Sequence, residues 1–295
     1  MSSIALPLSG ERHVVRDYLE LSKSRIVLMV VMTAAAGYVI GATEFSVLAL
    51  WHVLFGTALV AAGTNALNQF VERDLDARML RTARRPLPAG RISTRAALIF
   101  SAGIAVAGTV YLAVLVNWLT AFLGAFTLTS YIFVYTPLKR ISTACTVIGA
   151  VPGAIPPLMG WAAATGSLGT GGWIAFGILF FWQLPHFMAI SWTHREDYGR
   201  AGFAMLSVRD HDGRAVARQA VFYSIVLLGV SVAPSFLGLA GAMYLVVAAA
   251  AGAALLLASI RFLRERSAMT ARSLFMTSNI YLLMMMVLLV AFVRG

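Results

Sequence analysis

Nine long apolar segments constrain this 295-residue chain more than any other feature of its sequence. A helix that crosses the hydrocarbon core of a bilayer needs about 20 mostly apolar residues. Segments of about that length cover residues 26–43, 47–67, 96–116, 118–136, 144–164, 172–192, 218–236, 238–259 and 273–293. They predict an all-α polytopic integral membrane protein whose nine transmembrane helices leave no room for a separate soluble domain.

The composition supports this class and excludes others. Hydrophobic residues make up 60% of the chain and charged residues only 12%, which is half the share of about 25% in soluble proteins. A water-soluble globule and a disordered chain are therefore excluded. With Cys145 as its single cysteine, the chain has no disulfide framework.

The net charge of +11 is distributed unevenly along the chain. Of the 23 Lys and Arg residues, 22 lie before the first segment or in alternate loops, and only Arg294 falls on the opposite side. The positive-inside rule makes that basic face, and the N-terminus, cytoplasmic. The charge thus indicates orientation and contact with anionic lipid rather than binding of nucleic acid. We expect a cytoplasmic arm over residues 1–25 and one transmembrane domain over residues 26–293.

The first polar cluster follows the second segment. If that helix continues beyond residue 67, the amide of Asn68 and the carboxylates of Glu72 and Asp76 lie on one of its faces. Such oxygen ligands suit a hard cation such as Mg²⁺, and guanidinium groups match phosphate oxygens. The arginines that follow are Arg78, Arg81, Arg84 and Arg85. The cluster predicts a metal–diphosphate site at the cytoplasmic mouth of the bundle, with a salt-bridged interfacial loop as the alternative.

A second polar cluster ends the sixth segment, and a proline-rich stretch occupies the fifth. Gln183 and His186 should lie at membrane depth, where a polar residue suggests function, although hydrogen-bonded packing is the alternative for His186. The two polar clusters are four helices apart, which suggests two four-helix halves plus a ninth helix. In the fifth segment, three prolines are expected to break the helix. They are Pro152, Pro156 and Pro157.

Together these motifs resemble the UbiA-type intramembrane prenyltransferases. The spacing Asn68-x3-Glu72-x3-Asp76 is similar to the first aspartate-rich motif of that superfamily. The whole set of motifs, taken in order along the chain, resembles the haem O synthase branch of that superfamily more closely. These motifs cover residues 68–86, 135–140, 149–161, 182–187 and 197–202.

The resemblance implies a UbiA-type bundle of nine helices around a lipid-accessible cavity, in the inner membrane of a bacterium. It implies transfer of farnesyl from farnesyl diphosphate to the 2-vinyl group of haem B, with release of diphosphate. The residues it implies as catalytic ligands of Mg²⁺ are Asn68, Glu72, Asp76 and Asp197. Those implied for diphosphate or haem propionates are Arg78, Arg81, Arg85, Lys139 and Arg140. Those implied to line the haem cavity are Tyr135, Trp182, Gln183 and His186.

Other functions fit part of this pattern. The nearest alternative is a UbiA-type enzyme with an aromatic or quinone-precursor acceptor. A transporter would also contain broken helices and polar residues, but its polar residues should gather at the midplane rather than at one face. A non-catalytic haem or lipid chaperone would bind haem without releasing diphosphate. For the enzyme itself, the partner that would receive the product is a haem A synthase or the terminal oxidase assembly.

Overall fold

The described part of the chain is all α-helical. The computed structural model describes the backbone of residues 8–293 and the side chains of residues 14–293. Residues 1–7 of the expected N-terminal arm, and Arg294, lie outside the described residues. The helices are α1 Leu8–Leu21, α2 Ser24–Gly41, α3 Val47–Asp76, α4 Thr94–Leu115, α5 Trp118–Leu138, α6 Cys145–Thr165, α7 Thr170–Thr193, α8 Arg195–Arg200, α9 Leu206–Arg209, α10 Arg214–Phe236, α11 Ala242–Glu265 and α12 Ala268–Phe292.

Among these described helices, nine are long and apolar enough to cross a membrane. They are α2 to α7 and α10 to α12, so the predicted all-α polytopic class and the number of spans are confirmed. Beyond its apolar segment, which ends near residue 67, α3 continues as a helix to Asp76, the continuation on which the shared face of Asn68, Glu72 and Asp76 depends. This extension carries the first polar cluster on a continuous helix, in which Asn68, Glu72 and Asp76 are buried.

The proline-rich fifth span is not broken. Although Pro152, Pro156 and Pro157 all lie inside it, α6 is a continuous helix, so the expectation of a break was wrong. The fixed φ of proline is itself helical, and each proline removes one backbone hydrogen bond. Most of α6 is enclosed by α2, α5 and α7, and these neighbours hold the helix in place despite the missing bonds.

Glycines let α2 and α6 approach closely. A Cβ atom at Gly160 would overlap the backbone carbonyl of Ala34, and one at Gly37 would overlap the carbonyl of Pro157. Small residues at such contacts are the usual means of tight helix packing in membranes. The glycines of the fifth span therefore serve helix packing at these positions.

The expected N-terminal arm contains a helix that is docked on the end of α3. Leu21 is fully buried and packs in one core cluster with Ala66 and Ala97. The Gln69 side chain donates a hydrogen bond of 2.6 Å to the Leu21 carbonyl oxygen. These contacts fix the chain at the point where it enters α2, directly beside the polar end of α3.

Candidate active site

The polar end of α3 forms one wall of a cavity of about 250 Å³. Asn68, Glu72 and Asp76 all line the cavity, and each is at most 5% exposed. Because α3 is helical as far as Asp76, the three side chains are stacked one turn apart, as their spacing predicts. Asn65 is also buried but does not line the cavity.

Each of these three side chains is paired with a basic side chain from another part of the chain. The basic partners lie before α2, in the loop after α3 and at the end of α5. The pairs are Lys23 Nζ to Asn68 Oδ1 at 3.0 Å, Lys139 Nζ to Glu72 Oε1 at 2.7 Å, and Arg85 Nη1 to Asp76 Oδ2 at 2.7 Å. The cavity therefore holds oxygen ligands and their counter-charges side by side.

Burial and neighbouring charges act differently on the two lysines. Burial, together with the nearby positive charges of Arg85 and Lys139, lowers the pKa of Lys23 to about 7. For Lys139, burial also opposes the charge, but the Tyr135 oxygen and the Glu72 carboxylate outweigh it and raise its pKa above the ordinary value. Lys139 is therefore held as a cation against Glu72.

Lys23 was counted in the sequence only as an orientation charge, and the structure adds it to the site. Its backbone is left-handed, with φ 52°, a conformation that is uncommon for residues other than glycine. This strained position lies between α1 and α2. Its partner Asn68 is 45 residues away in sequence, so no local pattern could have linked the two residues.

A π-helical stretch in α5 shapes the opposite wall. Residues Ser130–Tyr135 form this stretch, and both Tyr131 and Tyr135 line the cavity. Thr136 donates to the Tyr131 carbonyl oxygen at 2.8 Å and accepts from the Asn68 amide at 3.3 Å. π-Helical turns are common at functional sites. Here, Thr136 connects the π-helical stretch to the α3 wall. Tyr135 was predicted from its motif, whereas Tyr131 was missed.

Asp197 lies apart from the three oxygen ligands of α3. It is buried but does not line the cavity; instead it accepts a hydrogen bond of 3.1 Å from the Leu80 amide and pairs with Arg200. Partial desolvation raises the pKa of Asp197, but Arg200 and the Leu80 amide outweigh it and hold the pKa below its usual range. No group of three His, Cys, Asp or Glu side chains gathers as a metal site within the described residues. Asp197 links the second cluster to the loop after α3.

The remaining basic candidates are distributed over different surfaces. Arg81 and Arg85 line the cavity. Arg140 lines a second cavity of about 440 Å³ that borders Glu72 from the other side. Arg78 is exposed and lines neither cavity.

The intramembrane candidates of α7 are packed inside the bundle rather than around the cavity. The Trp182 indole donates to the Ser278 carbonyl oxygen at 2.6 Å, and His186 Nδ1 lies 2.8 Å from the Ser278 hydroxyl. The Gln183 amide donates to the Leu179 carbonyl at 3.0 Å. None of the three α7 candidates lines the cavity, whereas Phe187, Ile190 and Ser191 of the same helix do. The expectation that they line it was therefore wrong for this cavity.

The sequence of this chain matches a known protein family over most of its length. The model of the UbiA prenyltransferase family matches residues 30–288, which is most of the chain. The chain belongs to the UbiA prenyltransferase family. A relative from Solibacter usitatus named Protoheme IX farnesyltransferase is 47% identical over 277 residues, covering 90% of this chain and 95% of the relative. One of the same name from Koribacter versatilis is 44% identical over 269 residues, covering 88% and 87%.

Solved structures show that the UbiA fold extends over nearly the whole chain. A digeranylgeranylglyceryl phosphate synthase has a TM-score of 0.79 at 19% identity, covering 94% of this chain and 97% of that one. A UbiA homologue from Archaeoglobus fulgidus, bound to GPP and Mg²⁺, has a TM-score of 0.65 at 15% identity, covering 92% and 99%. At these identities the similarity establishes the fold.

The α3 wall of this UbiA-family chain fits a hard divalent cation. Glu72 and Asp76 supply carboxylate oxygens and Asn68 an amide oxygen, all facing one cavity. Mg²⁺ is commonly bound by one or two carboxylates and completes its shell with water and substrate phosphates. The basic side chains across the cavity suit those phosphates. The cavity thus has donors for both the cation and a diphosphate.

Proposed function

We propose that the protein transfers the farnesyl group of farnesyl diphosphate to the 2-vinyl group of haem B. Addition of water then gives the hydroxyethylfarnesyl side chain of haem O, and diphosphate is released. The observation that carries this proposal is the 47% identity to a protein named Protoheme IX farnesyltransferase over 90% of the chain. Seven further relatives, between 40% and 44% identical, carry the same name.

The α3 wall would hold Mg²⁺ through Asn68, Glu72 and Asp76. Bound there, the ion would neutralise charge on the leaving diphosphate. The protein's own cations face the same space, and Lys139, Arg85 and Arg81 are placed to bind diphosphate oxygens. Cations fixed where negative charge develops lower the barrier to breaking the allylic C–O bond.

The acceptor needs no nucleophilic side chain, because the haem vinyl group itself attacks the farnesyl C1 carbon. Consistent with this, Cys145 is fully buried in the core. The faces of Tyr131 and Tyr135 border the cavity and would stabilise an allylic cation while bulk water is kept out. Arg140 in the adjoining cavity and the exposed Arg78 are assigned to the haem propionates.

We assign the protein to a bacterial inner membrane, with the N-terminus and the cavity on the cytoplasmic side. The distribution of 22 of 23 basic residues supports this orientation. We also assign residues 26–293 to a single prenyltransferase domain of two four-helix halves plus a ninth helix. A haem A synthase or the terminal oxidase assembly is the proposed consumer of the product.

The test is the reaction itself with purified, folded protein. Haem B, farnesyl diphosphate and Mg²⁺ are incubated with the protein in lipid nanodiscs, and extracted haem is analysed by mass spectrometry. We expect haem O and free diphosphate, and neither with the Glu72→Gln variant. Parallel reactions with 4-hydroxybenzoate test the aromatic-acceptor alternative. Prenylated benzoate without haem O would overturn the proposal. Unaltered haem after incubation with the folded protein would also overturn it.

A further inference from the structure

In the cavity, each of the three oxygen ligands of α3 is paired with its own basic side chain. Each oxygen side chain of the α3 wall has one basic partner within 3.0 Å, and all of these partners also line the cavity. Counting Arg81, four basic and two acidic side chains line the cavity. An isolated metal cation would therefore enter a space with a positive excess, in which each oxygen-bearing side chain of the α3 wall already has a basic partner.

We infer that Lys23, Arg85 and Lys139 exchange partners, so that the metal and the diphosphate bind as one unit. In the resting protein Arg85 and Lys139 neutralise the carboxylates of Asp76 and Glu72, and Lys23 donates to the uncharged amide of Asn68; in the loaded protein all three bind the diphosphate. This inference rests on the proposed function, because it assumes that a divalent cation and a diphosphate share this cavity. It adds Lys23 to the residues that bind substrate.

The physical reason is the burial of the pairs. The side chains of Lys139 and Glu72 are 9% and 7% exposed, and that of Asp76 is 1% exposed. If a metal ion took Glu72 alone, Lys139 would remain as a buried charge without a partner, which is strongly unfavourable. If a diphosphate took Lys139 alone, Glu72 would be left in the same state. Only joint binding leaves all the charges compensated.

The pairs also lie within reach of such an exchange. Lys139 Nζ lies 4.5 Å from the centre of the Tyr135 ring and 5.8 Å from that of Phe203. Both rings line the same cavity, so their faces can accept the ammonium group while it leaves Glu72. Arg85 is 22% exposed, which leaves its guanidinium free to turn from Asp76 towards the cavity.

The inference is tested by metal binding without any reaction. Mn²⁺, a paramagnetic substitute for Mg²⁺, is titrated into the detergent-solubilised full-length protein, and bound ion is measured by electron paramagnetic resonance. We expect weak binding to the wild type and binding about tenfold tighter or more to Lys139→Gln and to Arg85→Gln, since each variant frees one carboxylate. The same variants should bind inorganic diphosphate more weakly. Two independent variants keep the test valid if one of them fails to fold.

Arg81→Gln is the matched control. Arg81 lines the same cavity, but its described hydrogen bond goes to the Tyr198 hydroxyl at 3.5 Å and not to a carboxylate. The substitution removes one positive charge without freeing a metal ligand, so it should weaken diphosphate binding and raise Mn²⁺ affinity by a clearly smaller factor. An equal rise in Mn²⁺ affinity in all three variants would show that only the total positive charge of the cavity matters. That result would overturn the inference.

The inference and the proposed function can fail separately. Tight Mn²⁺ binding to a wild-type protein that makes haem O would overturn partner exchange and leave the function standing. A protein that makes no haem O but shows the expected shifts in Mn²⁺ and diphosphate affinity would lose the proposed acceptor and keep the exchange.

Discussion

Two buried polar regions, the end of α3 and the interior of α7, differ in what satisfies their side chains. At the end of α3, the carboxylates of Glu72 and Asp76 are paired with Lys139 at the end of α5 and with Arg85 in the loop after α3, and all four side chains face a cavity. Inside α7, the side chains of Trp182 and Gln183 donate to backbone carbonyls, and that of His186 pairs with the Ser278 hydroxyl. In the sequence, both regions are polar clusters at the end of an apolar segment.

The difference teaches how to separate ligand-binding polar residues from packing ones. A polar group whose partners are neutral and belong to the bundle is satisfied without a ligand. A buried charge whose partner is an opposite charge at a cavity can exchange that partner for a charged ligand. By this criterion the end of α3 is the proposed site of substrate binding, and Trp182, Gln183 and His186 hold α7 to α6 and α12.

The largest expected effect is at the end of α3. Glu72→Gln keeps the size of the side chain but removes a charged oxygen ligand and the partner of Lys139. Loss of an outer partner at a metal site typically costs about 10–100-fold, and we expect loss of this ligand to lower turnover by more than that. The measurement is haem O formation, with circular dichroism to verify the fold. Turnover near the wild-type rate would remove Glu72 from the metal site.

A second prediction concerns packing around α7. A methyl group at Gly153 would overlap the Gln183 side chain, which is buried and bonded to the Ala150 and Leu179 carbonyls. Gly153→Ala should therefore destabilise the protein by about 1–3 kcal/mol, as overpacking usually does, measured as a lower melting temperature. The control is Gly103→Ala in α4, where a Cβ would have no neighbour within 4 Å. Equal melting temperatures in the two variants would contradict the tight packing of Gln183.

Hydrophobic segments alone predicted most of the fold, because nine apolar stretches of helical length have few other solutions in a membrane. They did not predict that α6 would stay continuous through Pro152, Pro156 and Pro157. That outcome depends on how tightly neighbouring helices enclose α6, and packing of this kind is a property of the assembled bundle. Similarly, the apolar segment of α3 ends near residue 67 although the helix continues to Asp76, because hydropathy reports where contact with lipid ends and not where a helix ends.

The site was predicted in part, according to how local each signal is. The column of Asn68, Glu72 and Asp76 follows from helical spacing within one element, and the structure puts all three on one cavity wall. Lys23 and Tyr131 were missed because their role depends on long-range contacts and on a π-helical register. Asp197 illustrates the reverse case, since its motif is local but its position beside Leu80 depends on how two loops meet.

A third prediction separates a link between loops from a metal ligand at Asp197. Asp197→Asn retains an oxygen that accepts from the Leu80 amide but loses the charge that pairs with Arg200. We expect turnover to fall by about tenfold, the low end of the cost of losing an outer partner. The Mg²⁺ concentration for half-maximal activity should stay unchanged. A large increase in that concentration would place Asp197 among the metal ligands.

The smallest expected effect is at Ser278, whose hydroxyl lies 2.8 Å from His186 Nδ1. An intramembrane hydrogen bond contributes about 0.6 kcal/mol on average, so Ser278→Ala should lower the stability by about that amount. The control is Ser224→Ala, which removes a buried hydroxyl pair of the same length between α10 and α11. If His186 serves packing, both variants should lose similar stability and keep turnover. A loss of turnover confined to Ser278→Ala, or a shift of its haem absorption band, would show instead that His186 contacts the substrate, and the active site would then extend from Phe187, Ile190 and Ser191 into the interior of α7.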